Sequence, residues 1–195
     1  MTAPLPPAAC DFPIDRETGL AQGAIQLPSP HCDARPPGIA IDLLVIHAIS
    51  LPAGEYGGDD VAALFLGTLD CTHRPDYGEL ANLRVSAHFL IRRDGQVQQF
   101  VPVHRRAWHA GVSCFAGRER CNDFSVGIEL EGSDRDRFTA AQYAALTALT
   151  RAVRAACPAI RAENIVGHSD IAPGRKTDPG PHFDWAVYRA ALMAA

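Results

Sequence analysis

The segment IDLLVIH at 41–47 constrains the fold of this chain more than any other feature, because it is apolar on both faces. Strands that are covered on both sides lack the alternation of polar and apolar residues, and they are typical of the parallel sheets of α/β proteins. The segment therefore predicts a central strand buried on both faces, with His47 at its end. Binding crevices of such sheets lie outside the carboxyl ends of the strands, so we expect the His47 side chain to point into a cleft.

A hairpin and a long helix are the next clearest signals. The pair Asp94–Gly95 lies between two β-rich runs and predicts a hairpin within 85–100. Thr139 and Gln142 form a capping-box pattern that predicts a helix over 140–157. The other expected elements are strands over 124–131 and 164–167, and short helices over 61–66 and 185–193. Strands that alternate with helices predict a single α/β domain with a central mixed β-sheet flanked by α-helices.

Composition limits the classes of protein to consider. The 195 residues, 47% of them hydrophobic, are enough for one domain with its own core. No apolar run approaches the ~20 residues of a membrane span, and the net charge of -4 disfavours a nucleic-acid surface. The Pro-rich residues 1–27 predict an irregular N-terminal arm before one domain over 28–195. The N-terminus lacks a signal-peptide pattern and the six cysteines lack a disulfide-like spacing, so we expect a cytoplasmic protein with reduced thiols.

Three side chains are candidate metal ligands. His47 and His168 each end a predicted strand, and Asp178 lies in a loop rich in Pro and Gly that can hold a side chain rigidly. Two neutral imidazoles and one carboxylate make a three-ligand zinc site whose fourth position is open to water. Zinc lowers the pKa of such a water toward ~7. The spacing alone does not distinguish this site from three unrelated residues.

A hydrolytic zinc site also needs a proton carrier and a group that stabilises an oxyanion. Glu129 and Glu131 share one face of the predicted strand over 124–131, where either could be the base or both could line a solvated edge. The period of two does not choose between them. Lys176 is the one lysine among 18 basic residues, and it precedes Asp178 by two positions. Its ammonium could stabilise an oxyanion beside the metal, or it could be an ordinary surface lysine.

A cysteine hydrolase is a competing interpretation. Cys114 or Cys121 could act as the nucleophile with His109 as its base, and the neighbouring Arg118 and Arg120 could lower the pKa of the Cys121 thiol. An inert cysteine is the alternative at each position, since the sequence does not show whether a thiol meets the imidazole.

Five segments, taken in order, resemble one family of enzymes over nearly the whole domain. They are LLVIHAISLP at 43–52, LRVSAHFLIRRDG at 83–95, RAWHAGVS at 106–113, GRERCNDFSVGIELEG at 117–132 and VGHSDIAPGRKTDPG at 166–180. They resemble the zinc-dependent N-acetylmuramoyl-L-alanine amidases of the peptidoglycan-recognition-like fold, in particular those that act on anhydro-muramyl peptides in the cytoplasm. The resemblance extends from about Pro28 to Trp185. It implies a central mixed sheet flanked by helices, with zinc at one edge.

The resemblance also implies roles for individual residues. His47, His168 and Asp178 would bind zinc, Glu129 would be the catalytic acid and base, and Lys176 would stabilise the transition state. The residues implied to line the substrate cleft are Arg84, Trp108, His109 and Arg120. The implied reaction hydrolyses the amide between the lactyl group of the muramyl sugar and L-alanine. It would serve the recycling of cell-wall fragments and act indirectly on β-lactamase induction.

The implied partner is a small muropeptide, with no nucleic acid and no membrane, and a monomer is the default for one domain. Ala48 follows His47 where relatives of the family carry Asn, so a contact to substrate is either missing or supplied by another group. Some proteins of this fold bind muropeptides without cutting them and lack one or more metal ligands. All three candidate ligands are present here, which favours the enzyme over such a binding module.

Overall fold

The computed structural model describes residues 11–194. Its strands are β1 (Ile25–Gln26), β2 (Cys32–Ala34), β3 (Leu43–Ile49), β4 (Phe89–Ile91), β5 (Val97–Gln99), β6 (Arg105–Ala107), β7 (Cys114–Phe115), β8 (Arg118–Glu119), β9 (Ser125–Glu131) and β10 (Ile165–Gly167). Its α-helices are α1 (Asp60–Leu66), α2 (Ala140–Ala156), α3 (His168–Ile171) and α4 (Trp185–Met193). Short 3-10 helices cover Pro75–Leu80, Cys121–Asp123 and Ala162–Asn164. The first ten residues of the predicted arm, including Cys10, lie outside the described residues.

Six strands form one mixed sheet in the order β1-β5-β4-β9-β3-β10. β3 pairs in parallel with β9 and with β10, and β9 pairs in parallel with β4. β4 and β5 form the antiparallel hairpin expected around Asp94–Gly95. The register places His47 opposite Glu129, and Gly167 opposite Ile46. The carboxyl ends of three neighbouring parallel strands therefore meet at one edge of the sheet, as the crevice rule expects.

Both faces of β3 are covered, which accounts for its continuous apolar sequence. One face of β3 and β9 packs on α2, and the buried side chains there are Leu44, Ile46, Val126, Ile128, Leu130, Leu146, Leu149 and Val153. On the other face, Leu43 and Val45 pack with Ala110 and Phe124. Fully burying one such side chain contributes about 1.5–3 kcal/mol. This packing holds the strand ends, and the side chains they carry, in fixed positions.

The capping box of α2 also fixes the end of β9. Thr139 Oγ1 accepts a hydrogen bond from Gln142 N at 3.0 Å, and Gln142 Oε1 accepts one from Thr139 N at 3.1 Å. The rings of Phe138 and Tyr143, on either side of this cap, meet edge to face with their centroids 6.5 Å apart and form a hydrophobic staple. Gln142 Nε2 donates to the Glu131 carbonyl at 2.9 Å, so the first turn of α2 is tied to the last residue of β9.

The α/β architecture with a central mixed sheet and flanking helices is confirmed, with small shifts in the bounds of elements. The strand expected over 41–47 spans Leu43–Ile49. The alternative that Glu129 and Glu131 both line a solvated edge is wrong, because β9 lies between β3 and β4 and all seven of its residues are buried. No helix within residues 11–194 is both long enough and apolar enough to cross a membrane.

Part of the N-terminal arm is regular and belongs to the packed structure. β1 adds to the sheet edge by pairing in parallel with β5. Phe12 and Ala21 are 4% and 2% exposed and lie in the larger core. The described part of the predicted arm therefore packs on the rest of the chain, whereas the boundary at residue 28 stays a prediction.

Candidate functional site

The strand ends bring the three predicted metal ligands together. His47 lies on β3, and His168 begins α3 directly after β10, which is paired with β3. Asp178 lies on the loop that follows α3. A Cβ on Gly167 would lie 2.8 Å from Pro179 Cδ, so a glycine at this position lets the Asp178 loop approach β10 closely. The loop thereby delivers a carboxylate to the two imidazoles.

Three acceptor atoms converge in this cluster. His47 Nδ1 lies 3.0 Å from His168 Nδ1 and 3.1 Å from Asp178 Oδ2, and His168 Nδ1 lies 3.0 Å from the same oxygen. Tetrahedral ligands at ~2.0–2.2 Å from a zinc ion are about 3.3–3.6 Å apart, so a small outward shift of these three atoms would accommodate such an ion. With a metal in the cluster, His168 Nε2 would donate to the Ala110 carbonyl, 3.1 Å away, and the lone pair of Nδ1 would be left for the metal. The described residues thus offer a group that could hold a metal ion.

Burial sets the protonation of the cluster. It lowers the pKa of His47 to about 4, although the hydrogen bond with Asp178 raises it, so the imidazole is neutral at physiological pH. Burial raises the pKa of Asp178, but hydrogen bonds with His168 and His47 outweigh it and leave the pKa below its ordinary value. Neutral imidazole and ionised carboxylate are the forms that bind metals.

Glu129 faces this cluster without a partner of its own. Its Oε1 lies 4.0 Å from His47 Nδ1, and its buried Oε2 has no hydrogen-bond partner within the described residues. Burial raises the pKa of Glu129 well above its ordinary value; the charge of Asp178 raises it further and that of Lys176 lowers it. A buried carboxyl group with a raised pKa and a free oxygen is suited to exchanging protons.

Glu131, the other candidate base, has a different environment. Its Oε1 accepts from Gly57 N at 2.7 Å, its Oε2 accepts from Arg93 N at 3.0 Å, and Arg92 Nε lies 3.5 Å from Oε2. These donors occupy both oxygens. Glu131 therefore links the loop after β3 to the start of the β4–β5 turn through hydrogen bonds. Of the two glutamates, Glu129 is the one that faces the metal cluster.

Lys176 lies on the exposed side of the same loop. Its backbone N donates to the Ala172 carbonyl at 3.1 Å, and its side chain is exposed. The ammonium charge lowers the pKa of both Glu129 and His47, so it acts on the cluster electrostatically.

The four residues expected to line the cleft have unlike surroundings. Arg84 is exposed, and Arg120 is 71% exposed with its Nε 3.3 Å from Asp123 Oδ2. Trp108 Nε1 donates to Asp33 Oδ1 at 3.2 Å. His109 alone among the four touches a candidate ligand, since its Nδ1 lies 2.9 Å from His47 Nε2. The depression that Arg120 helps to line, about 550 Å³ in volume, also reaches Ile171 at the end of α3.

Comparison with known proteins decides the family. The sequence profile of N-acetylmuramoyl-L-alanine amidases matches residues 37–181, which include all three candidate ligands, Glu129 and Lys176. The chain belongs to the N-acetylmuramoyl-L-alanine amidase family. It is accordingly an amide hydrolase.

Individual relatives of the amidase cover nearly its whole length. The 1,6-anhydro-N-acetylmuramyl-L-alanine amidase AmpD of Escherichia coli K12 is 59% identical over 176 residues, which are 90% of this chain and 96% of the relative. A crystal structure of a selenomethionine AmpD derivative superposes with a TM-score of 0.88 at 56% identity and covers 92% of this chain and 98% of that one. The amidase AmiD of E. coli, solved in complex with anhydro-N-acetylmuramic acid-L-Ala-D-gamma-Glu-L-Lys, gives a TM-score of 0.58 at 31% identity over 83% of this chain and 62% of that one.

Sequence reasoning missed two polar residues behind the site of the amidase, the buried His88 and the half-buried Arg35. His88 Nδ1 accepts a hydrogen bond from Gly127 N at 3.0 Å on β9. Arg35 donates to the Ser125 carbonyl at 2.8 Å and to three other backbone carbonyls, so one guanidinium ties together several segments. The available signal was a histidine within the otherwise apolar segment 87–91.

The thiols of the amidase are poorly placed for nucleophilic catalysis. Cys121 is buried, and burial raises the pKa of its thiol despite the charge of Arg118. Cys114 is exposed. Both ring nitrogens of His109 are engaged by His47 and Ser125, so within residues 11–194 the proposed base is already occupied.

Proposed function

We propose that this amidase is zinc-dependent and hydrolyses the amide between the lactyl group of 1,6-anhydro-N-acetylmuramic acid and L-alanine. It would do so as a monomer in the cytoplasmic recycling of peptidoglycan, with an indirect effect on β-lactamase induction. The convergence of His47 Nδ1, His168 Nδ1 and Asp178 Oδ2 beside the unpaired Glu129 carries the proposal. The names of the AmpD relatives and the substrate bound in the AmiD complex support the choice of sugar.

The metal would be held by the two imidazoles and the Asp178 carboxylate. When bound, zinc supplies a Lewis acid that lowers the pKa of water to ~7. A divalent cation also favours the ionised form of the nearby Glu129, which otherwise resists ionisation because it is buried. His168 keeps its orientation through the Ala110 carbonyl, and His47 keeps its orientation through His109.

Glu129 moves the proton in this mechanism. Its Oε1 lies 4.0 Å from His47 Nδ1, beside the cluster. From there the carboxylate takes a proton from the attacking water and then gives it to the amine nitrogen of L-alanine as that nitrogen leaves. The Lys176 ammonium, which is exposed and already acts on Glu129, stabilises the negative charge that develops on the carbonyl oxygen. The Arg84 and Arg120 guanidinium groups are exposed and suited to the carboxylates of the stem peptide.

Mass-spectrometric product analysis with anhydro-muramyl tripeptide tests the proposal. We expect free anhydro-sugar and free tripeptide from the purified protein, no products after chelation, and recovery when zinc alone is added back. A parallel sample treated with a thiol-alkylating agent should keep its activity. Activity that survives chelation but not alkylation would support a cysteine hydrolase, and binding of the muropeptide with no products would support a binding module.

A further inference from the structure

His109 lies on the side of His47 that faces away from the metal cluster. His47 Nδ1 points at the cluster, whereas its Nε2 is 2.9 Å from His109 Nδ1. The other nitrogen of His109, Nε2, is 3.1 Å from Ser125 Oγ on β9. The backbone N–H groups of His109 and Ala110 both donate to Asn122 Oδ1, at 3.1 and 2.8 Å, so the segment that carries the imidazole is itself held.

A glycine on β9 makes room for this imidazole. A Cβ on Gly127 would lie 2.6 Å from His109 Cγ and Nδ1, a distance that real Cβ atoms do not tolerate. Gly127 shares its face of β9 with Glu129, two residues further on, while Val126 and Ile128 point into the opposite core. The imidazole therefore fills a space that β9 leaves open beside the metal cluster, with His47 and Ser125 at its two nitrogens.

The hydrogen bonds along this row have one consistent direction when His47 binds a metal through Nδ1. Its proton must then be on Nε2, which makes His109 Nδ1 the acceptor. A neutral His109 consequently carries its proton on Nε2 and donates it to Ser125 Oγ. The opposite tautomer of His109 would set two N–H groups against each other at 2.9 Å. Ser125 Oγ can accept the hydrogen bond that this tautomer of His109 donates, so the whole row is compatible with the ligand tautomer of His47.

We infer that His109, oriented by Ser125 and accommodated by Gly127, is a positioning residue for the metal ligand His47 and not a contact to substrate. This inference rests on the proposed zinc site. It replaces the role that the family resemblance suggests for His109, because both ring nitrogens are used inside the protein. Groups behind a ligand typically account for ~10–100-fold in metal affinity.

The zinc dissociation constant of full-length variants, measured by competition with a chromophoric chelator, tests the inference. His109→Leu removes the acceptor, and we expect zinc to bind ~10–100-fold more weakly. His109→Asn places a carbonyl oxygen near the former Nδ1, so it should restore most of the lost affinity. His73→Leu is the matched control at a side chain that is 47% exposed and outside the site, and it should leave the constant unchanged.

Two further measurements separate positioning from general damage. The free energy of unfolding of each metal-free variant shows whether a change in affinity merely follows lost stability, and the visible spectrum of the cobalt-substituted protein reports the ligand field. Ser125→Ala keeps the imidazole of His109 and should weaken zinc binding less than His109→Leu does. It therefore serves as a second test of the inference if His109→Leu does not fold. Equal affinity in wild type, His109→Leu and Ser125→Ala would overturn the inference, as would an Asn variant no better than the Leu variant. If His47→Ala binds zinc as tightly as wild type does, the proposed zinc site is overturned as well.

Discussion

Replacing Glu129 by glutamine should lower activity and raise stability at the same time. The substitution keeps the shape of the side chain but removes the group that takes and returns the proton. General acid–base catalysis contributes about 100- to 10,000-fold, so the Glu129→Gln turnover should fall by that factor while the zinc content stays near that of wild type. The carboxylate is not a predicted metal ligand, and its Oε1 lies 4.0 Å from His47 Nδ1.

The gain in stability follows from the raised pKa of Glu129. The folded metal-free protein binds the proton of Glu129 more tightly than the unfolded chain does, because the carboxyl group is buried with Oε2 unpaired. Its contribution to stability is fully present below the unfolded pKa of about 4.3 and is lost as the pH rises through the higher folded value. Each pKa unit of elevation costs the folded protein about 1.4 kcal/mol once both forms are ionised. Glutamine does not ionise, so the variant should not show this loss.

Urea unfolding of the metal-free proteins at mildly acidic and at neutral pH measures this effect. From mildly acidic to neutral pH, we expect the free energy of unfolding of wild type to decrease relative to that of Glu129→Gln. Glu131→Gln is the matched control: an amide nitrogen there would face the N–H donors of Gly57 and Arg93, so that variant should lose stability but keep its zinc. Unchanged turnover in Glu129→Gln, or equal pH dependence of its stability and that of wild type, would refute the reasoning.

Three further substitutions test other parts of the site and fold. Lys176→Ala should bind zinc yet lose roughly 100- to 1,000-fold in turnover. Lys176→Arg should also lose most of its activity, because a planar guanidinium does not replace a compact ammonium. Full activity of the arginine variant in a steady-state assay would contradict the proposed role of Lys176 in stabilising the oxyanion. Thr139→Ala should cost about 1 kcal/mol in urea unfolding through loss of the cap on α2, whereas Thr139→Ser should cost less. In Gly167→Ala the added Cβ would lie 2.8 Å from Pro179 Cδ and displace the Asp178 loop, so calorimetry should show weaker zinc binding. An unchanged affinity would mean that the loop adjusts freely.

The positions of His47 and His168, two of the three candidate metal ligands, at the ends of neighbouring strands were predictable from local pattern. The continuous apolar run before His47 required a strand covered on both faces, and parallel strands bring their carboxyl ends to one edge. The capping box at Thr139 is likewise a local signal, and it begins α2 as expected. These features depend on neighbours along the chain or on the rule for sheet edges, so they need no detailed packing.

The distinction between the two glutamates was beyond such patterns. Glu129 and Glu131 share one face of β9, and the period of two is the same for both. They differ in their tertiary partners: the loop at Gly57 and the backbone of Arg93 satisfy Glu131, while Glu129 is left facing His47. The burial of that face was also missed, because it depends on the strands β3 and β4 that pair with β9 on each side.

The role of His109 depends on register in the same way. The pairing of β3 with β9 sets His47 opposite Glu129 and Val45 opposite Gly127, which leaves a space of the size of an imidazole beside His47. A sequence motif can show that a histidine is present in that segment, but not which way its nitrogens point. The resemblance implies that His109 lines the cleft, which stays a prediction; the contacts of its two nitrogens with His47 and Ser125 are the basis for inferring a positioning role instead.

Hydrolysis in heavy-oxygen water is the most direct test of zinc-dependent cleavage at the lactyl–alanine amide. Anhydro-muramyl tripeptide is incubated with chelated protein and with the same protein after zinc is restored, and both products are weighed by mass spectrometry. The mechanism predicts no products without metal and, with zinc, one heavy oxygen in the lactyl carboxylate of the sugar and none in the peptide. Heavy oxygen in the peptide, or equal cleavage with and without metal, would contradict it.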